Sequence, residues 1–432
     1  MKIYNFKELS KEDIQDICLR QLEDDGSIRE RVSAIVNQVK QDGDEALKAF
    51  SIQFDKVALD RLYLDQTELA AIAAGIPPEV KTALDTAYGN IKRFHEAQIH
   101  KEAPVETMPG VTCWRENRAI ERVGLYIPGG TAVLPSTFLM LGIPATLAGC
   151  KEIIVCSPPQ QDGKTNSYLA YCAMLLGINK IYLAGGAQAV AAMAYGTDTI
   201  PKVNKIFGPG NRYVTQAKQL IQSNTLTAID MPAGPSEVLV LADETANPSY
   251  VASDLLAQAE HGVDSQSILV STSSKFIDET LTEINKQIAV LPRRSIAEKA
   301  IANSYAVLVD DLGLGMAFSN TYAPEHLILA TAEYESLIPA IVNAGSVFLG
   351  NLTPESAGDY ASGTNHTLPT SGYAKAYSGV SVDSFIKKIT FQLIDKTGLN
   401  NIGNTVETLA EAEGLQAHRN AITIRLNSEN GY

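Results

Sequence analysis

Apolar residues set the first rhythm of the chain. In SIRERVSAIVNQVKQDGDEALKAFSIQFD they recur every three or four positions, with a break at Gly43. PPEVKTALDTAYGNIKRFHEAQ resumes the same period behind its prolines, so roughly the first 120 residues read as mostly helical. From Arg122 the pattern changes. RVGLYIP is a short apolar run, followed by a glycine turn and the apolar helix LPSTFLMLGIPATLAGC. EIIVCSPP, YLAYCAMLLG, KIYLAGG and AQAVAAMAYG repeat that alternation. Strands alternating with helices predict a parallel sheet with crossover helices. The strands are apolar throughout, which predicts cover on both faces. A second series starts at SEVLVLAD. It runs through PSYVASDLLAQAEHG, SQSILVSTS, a helix near 275–290, SYAVLVDD, EHLILA and AGSVFLG. Two series predict two sheets. After Gly350 comes NLTPESAGDYASGTNHTLPTSGYAKAYSG, a long irregular run of the kind that usually carries function. The last 50 or so residues read as helical again.

Composition narrows this picture. At 432 residues and 45% hydrophobic, the chain is long enough for two or more cores. A formal charge of −14 without a Lys/Arg cluster argues against nucleic acid and anionic membrane surfaces as partners. No apolar leader and no membrane-length apolar run is visible. The five cysteines are scattered, odd in number and lack CxxC spacing, which fits reduced thiols and a cytoplasmic location.

Four polar clusters could carry chemistry. Gln258 and His261 lie three apart at a predicted helix end, so they can converge on one point, and Gly262 is placed to stop that helix. The plain alternative is a polar helix end. Glu325 and His326 open the strand of TYAPEHLILA. Neighbours on an extended segment point to opposite sides, so the two need not touch, yet each can reach one pocket at the strand end. Asp359 and His366 sit in the irregular run, where both are also ordinary loop residues. Glu413 and His418 flank Gly414, a corner that either turns both toward a site or is simply exposed. Such N and O donors suit Zn²⁺, Mn²⁺ or Co²⁺, while HExxH is absent. LYIPGGTAVLPS, YLAGGAQAV and KIFGPGNRYV are glycine turns between strand and helix. They either offer N–H groups to phosphates or are tight turns only.

Together, GLYIPGG, GGAQAVAAMAYGT, GPGNRYVTQAK, DMPAGPSEVLV, LLAQAEHG, APEHL, GDYASGTNHTLPT and EGLQAHRNA resemble the histidinol dehydrogenase family, in order and over nearly the whole chain. The resemblance implies an α/β fold of two incomplete Rossmann-like parallel-sheet domains with small helical pieces at both ends. It places an N-terminal piece at residues 1–22 and the larger domain at 23–125 and 237–380. The smaller domain is inserted at 126–236, and a C-terminal piece at 381–432 reaches the partner of a homodimer. It implies one Zn²⁺ per subunit on Gln258, His261, Asp359 and His418, which also contact substrate. Glu325 and His326 become the acid/base pair, with further substrate contacts at Ser236, His366 and Glu413. NAD⁺ contacts fall on Tyr126, Gln188 and Asn211, while His95 and His100 stay structural or superficial. The implied reaction, the last step of histidine biosynthesis, is oxidation of L-histidinol through L-histidinal to L-histidine with two NAD⁺. His326 is the expected base, Glu325 activates water and zinc positions the substrate. A zinc-dependent amide hydrolase with Glu325 activating water is the alternative. A route through a cysteine nucleophile finds no cysteine beside a histidine.

Overall fold

The computed structural model describes residues 1–20, 26–129, 133–232 and 234–428. Gly130, the second glycine of the first glycine turn, lies outside them. In chain order the first strands are β1 (Lys2–Asn5), β2 (Tyr63–Asp65), β3 (Val105–Met108), β4 (Val111–Ala119) and β5 (Arg122–Tyr126). β6 (Glu152–Ser157), β7 (Lys180–Leu183), β8 (Lys205–Phe207) and β9 (Ala228–Ile229) follow. The second series supplies β10 (Glu237–Ala242), β11 (Gln266–Ser271), β12 (Tyr305–Leu308), β13 (His326–Ala330) and β14 (Ser346–Leu349), and β15 is Ile386–Ile394.

Two six-stranded sheets form, ordered β2-β7-β6-β5-β8-β9 and β1-β12-β11-β10-β13-β14. Pairing is parallel except where β2 meets β7. In the first sheet the chain runs outward from β5 through β6 to β7, then returns to β8 on the other side. That reversal is the switch point at which open α/β sheets bind ligands, at the carboxyl ends of the strands. The second sheet has the same reversal between β10 and β13.

The continuous apolar runs are explained by two-sided burial. Along β10, Val238, Val240 and Ala242 enter one core while Leu239 and Leu241 enter another. Helix Pro248–Ala259 covers the first of these faces with Val251, Ala252, Leu255, Leu256 and Ala259. Each fully buried Leu or Val contributes about 1.5–3 kcal/mol relative to exposure.

Several expectations need correction. The first 120 residues contain four strands, and β15 interrupts the supposedly helical C-terminus. β15 pairs antiparallel with β4 over Ile386–Ile394 and Val111–Ala119, and β3 completes this third sheet. These strands are partly polar on both faces because neither face is fully covered, so they lack the apolar run that revealed the others. The cores also group segments differently from the expected domain limits. Val32, Val36, Leu47, Leu69 and Ile91 share a core with Leu125 and Ile206, so helices of residues 26–96 pack on the first sheet. β1 is an edge strand of the second. At Gly43 the helix Gly26–Phe50 bends through φ 52°, as the sequence break suggested.

Candidate active site

His326 is the first residue of β13 and pairs with Val238. It heads the row His326, Ile328, Ala330, which faces helix Pro248–Ala259. Alternation therefore aims its ring at the carboxyl end of that helix, where Gln258 and His261 sit. The His261 N–H donates to the Gln258 carbonyl at 3.3 Å, so a last turn brings the pair round together. The helix ends at Ala259, not at Gly262, which has ordinary backbone angles.

Glu325 precedes the strand. Simple alternation would turn it away from His326, but its side chain folds back. Its Oε2 accepts the Glu237 N–H at 2.9 Å and lies 3.7 Å from His326 Nδ1. Alternation on the strand left the two free not to touch; the two peptide groups of one neighbouring residue, Glu237, hold them near each other. His326 Nδ1 lies 3.1 Å from the Glu237 carbonyl. A carbonyl only accepts, so Nδ1 carries hydrogen and Nε2 is the basic nitrogen. Nε2 is 3.4 Å from Asp359 Oδ1.

Glu355 completes the cluster, and the sequence reading missed it. It opens the short helix Glu355–Tyr360, four residues before Asp359, which puts both carboxylates on one helical face. That spacing was the available signal, hidden inside a run read as irregular. Glu355 is 1% exposed and its Oε1 lies 3.9 Å from His326 Nδ1. The Gln258 amide donates to Glu325 Oε2 at 3.4 Å, and with its oxygen and nitrogen exchanged it would instead donate to Glu355 and share the Glu237 N–H.

Burial pushes the Glu325 carboxyl up to about 8 and Glu355 well above its usual value. Burial opposes charge on His326, yet Glu355, Glu325 and Asp359 outweigh it and hold the imidazole up to about 10, so it is protonated in the metal-free cluster; a cation drawing on those carboxylates would lower it and free Nε2 as a base. Ligand atoms of His261, Glu355 and Asp359 all lie within 4.8 Å of one another. Glu355 Oε2 and His326 Nε2 are buried without a hydrogen-bond partner. Crowded carboxylates, an imidazole and orphaned buried atoms fit a divalent cation with N/O ligands. Glu355→Gln is expected to weaken divalent-metal binding by about 10- to 100-fold without unfolding the chain. Calorimetric titration of metal into the stripped variant checks this, and unchanged affinity would remove Glu355 from the set.

The cluster lies at the amino ends of β10 and β13, not at the carboxyl ends where such sheets usually bind. Half-buried His366 shows why this works. Its Nδ1 donates to the Asp359 carbonyl at 2.9 Å, and its Nε2 meets Thr137 Oγ1 at 2.9 Å. Thr137 is in the first turn of helix Pro135–Ala148, which follows β5. The amino edge of the second sheet thus faces the carboxyl edge of the first.

On that opposite edge, the Tyr126 hydroxyl accepts the Gly186 N–H at 3.1 Å, and buried Gln188 lies one turn into helix Gly186–Tyr195. Asn211 caps helix Arg212–Asn224 through Tyr213 and Val214 N–H at 3.0 and 3.2 Å. Gly208 fits the turn before it because a Cβ would come 2.1 Å from the Tyr126 carbonyl oxygen. Ser236 immediately precedes Glu237. The structure thus brings Gln258, His261, Glu325, His326, Asp359 and His366 together. Glu413 and His418 are exposed at a corner where Gly414, φ 73°, joins helices Lys396–Ala412 and Gln416–Leu426. Among the described residues, no hydrogen bond or ion pair ties either to the cluster. His95 is a core residue, its Nδ1 2.8 Å from the Ile91 carbonyl, and His100 is exposed.

Comparison with known proteins shows the family. The family model described as histidinol dehydrogenase matches residues 18–426. A histidinol dehydrogenase of Bacteroides thetaiotaomicron is 54% identical over 419 residues, covering 97% of this chain and 98% of its own. A chloroplastic histidinol dehydrogenase of Arabidopsis thaliana is 52% identical over 99% of this chain and 91% of its own. The crystal structure of histidinol dehydrogenase from Elizabethkingia anophelis superposes with a TM-score of 0.96 at 50% identity, covering 100% of this chain and 99% of its own.

Proposed function

The chain belongs to the histidinol dehydrogenase family of NAD-dependent oxidoreductases, and on that premise we propose how its residues carry out the oxidation of L-histidinol through L-histidinal to L-histidine. The observation that carries the reading is the convergence of Gln258, His261, Glu325, His326 and Asp359 opposite the glycine turns of the other sheet. NAD⁺ is assigned to those turns, beside Tyr126, Gln188 and Asn211, at the switch point between β5 and β8. Zn²⁺ is assigned to Gln258, His261, Asp359 and a partner's counterpart of His418, with Glu355 adjoining. When bound, the metal supplies positive charge that anchors the substrate's nitrogens.

His326 Nε2 takes the hydroxyl proton as the first hydride leaves the carbinol carbon for NAD⁺, giving the aldehyde. Glu325 takes a proton from water as its oxygen adds to the aldehyde carbon. His326 returns a proton to the former carbonyl oxygen, giving the hydrate. A second hydride leaves for a second NAD⁺, His326 takes the hydroxyl proton, and the acid forms. Ser236, His366 and Glu413 are assigned to substrate contacts.

The C-terminal piece supports the homodimer reading. Leu393, Leu409, Leu415 and Ile424 are all exposed there. We assign this surface to a second copy, which would carry Glu413 and His418 into the partner's site. The five cysteines are free, and no described helix is long and apolar enough to cross a membrane. The thiols support a cytoplasmic location.

NADH absorbance appearing on mixing protein, NAD⁺ and L-histidinol tests the reading; an amide hydrolase would give none. Stripping the metal is expected to abolish turnover while far-UV circular dichroism stays unchanged, because the adjoining cores are held by apolar burial and strand pairing, not by the cluster. Loss of most secondary structure on chelation would make the metal structural instead.

A further inference from the structure

Glu237 is 1% exposed, and its two peptide groups touch both members of the acid/base pair. Its N–H holds Glu325 Oε2 at 2.9 Å, and its carbonyl receives His326 Nδ1 at 3.1 Å. One residue therefore sets the orientation of the carboxylate and the tautomer of the imidazole. What fixes that residue comes from elsewhere in the chain. Glu237 Oε2 accepts from Arg20 Nη2 at 2.7 Å, and Oε1 accepts the Ser371 N–H at 2.8 Å. Arg20 Nη1 donates to the Tyr322 carbonyl at 2.8 Å, and its guanidinium lies 3.6 Å from the Tyr322 ring centre. Tyr322 is fully buried, three residues before Glu325, and its hydroxyl donates to Gln266 Oε1 at 2.7 Å. The planar fork of Arg20 thus spans the start of β10 and the segment that leads into Glu325 and His326. A lysine, with one compact head, cannot bond both acceptors in this way.

We infer that Arg20 and Glu237 are positioning residues for the acid/base pair. The inference deepens the function proposed above and rests on it. The N-terminal segment reaches the active site through this pair: the Glu237 carboxylate, held by Arg20, also meets the Glu325 backbone. Displacing the Glu237 peptide frees the His326 ring to turn and releases Glu325, so chemistry suffers while the metal ligands and substrate contacts stay.

The test compares Arg20→Ala, Arg20→Lys, Glu237→Gln and the Arg20→Ala/Glu237→Gln double variant with the metal-loaded wild-type enzyme, well below each melting temperature. Expected are a fall in kcat of about 100-fold for Arg20→Ala, since misplacement of about 1 Å costs that much. KM for L-histidinol and zinc stoichiometry should stay within about two-fold, as no ligand is removed. The double variant should be no slower than the worse single one, because both break one unit. Guanidinium ion added at millimolar concentration should restore part of the Arg20→Ala rate. Where Arg20→Ala fails to fold, Arg20→Lys keeps the buried charge paired and still loses kcat. Variants that melt earlier but keep wild-type kcat per folded site would overturn the inference and leave the pair purely structural. A wild-type enzyme that fails to reduce NAD⁺ with histidinol would instead overturn the function reading, before any variant is compared.

Discussion

His326→Asn is expected to slow both oxidations by about 100- to 10,000-fold, the range that a positioned general base contributes. Glu325→Gln is expected to slow mainly the second. Each hydride transfer needs a proton taken from a hydroxyl, and in the metal-loaded site His326 Nε2 is the nitrogen placed to take it, since Nδ1 is engaged by the Glu237 carbonyl. Asn keeps a polar group of similar reach but cannot accept that proton. In the proposed scheme Glu325 acts once, when water adds to the aldehyde. Gln in its place still accepts the Glu237 N–H, now seen at 2.9 Å, so the local shape survives while proton uptake is lost. Single-turnover measurements starting from L-histidinol and, separately, from L-histidinal separate the halves. Equal losses in both halves for Glu325→Gln would sink this division of labour.

Mixing two dead variants should produce a live enzyme. His418→Ala and Glu325→Gln are each expected to be nearly inactive as pure proteins. Co-refolded in equal amounts, they pair at random, and half of all dimers are mixed. If each site combines Glu325 of one chain with His418 of the other, a mixed dimer has one site with both lesions and one with neither. About a quarter of all sites then work. The exposure of Glu413 and His418, without a tie to their own chain's cluster, motivates the experiment. Were each site built within one chain, every site would keep a lesion and the mixture would stay inactive.

Legibility differed by element. β10 and β13 stood out because burial on both faces demands an unbroken apolar run. β4 and β15 did not, since their half-wet faces admit Arg115, Glu116, Lys387 and Lys388 between the apolar residues. Gln258 and His261 were visible as a helix-spaced pair. Glu355 was obscured because its helix is only six residues long and sits in a segment rich in turn formers. Arg20 carried no local signal at all, for its partners are 217 and 302 positions away.

The sequence by itself determined the two alternating α/β series, the apolar strands, the glycine turns and the residue types of the candidate acid/base pair and candidate metal donors. These are local properties: period, turn chemistry and side-chain type are written within a few neighbouring positions. The tertiary structure alone decided that Glu325 folds back toward His326, that Glu355 joins His261 and Asp359, and that the amino edge of one sheet meets the carboxyl edge of the other. It also decided that Arg20 braces Glu237. The physical reason is the same in each case. Buried polar groups must find partners wherever the packed chain supplies them, and strand register brings those partners from distant segments.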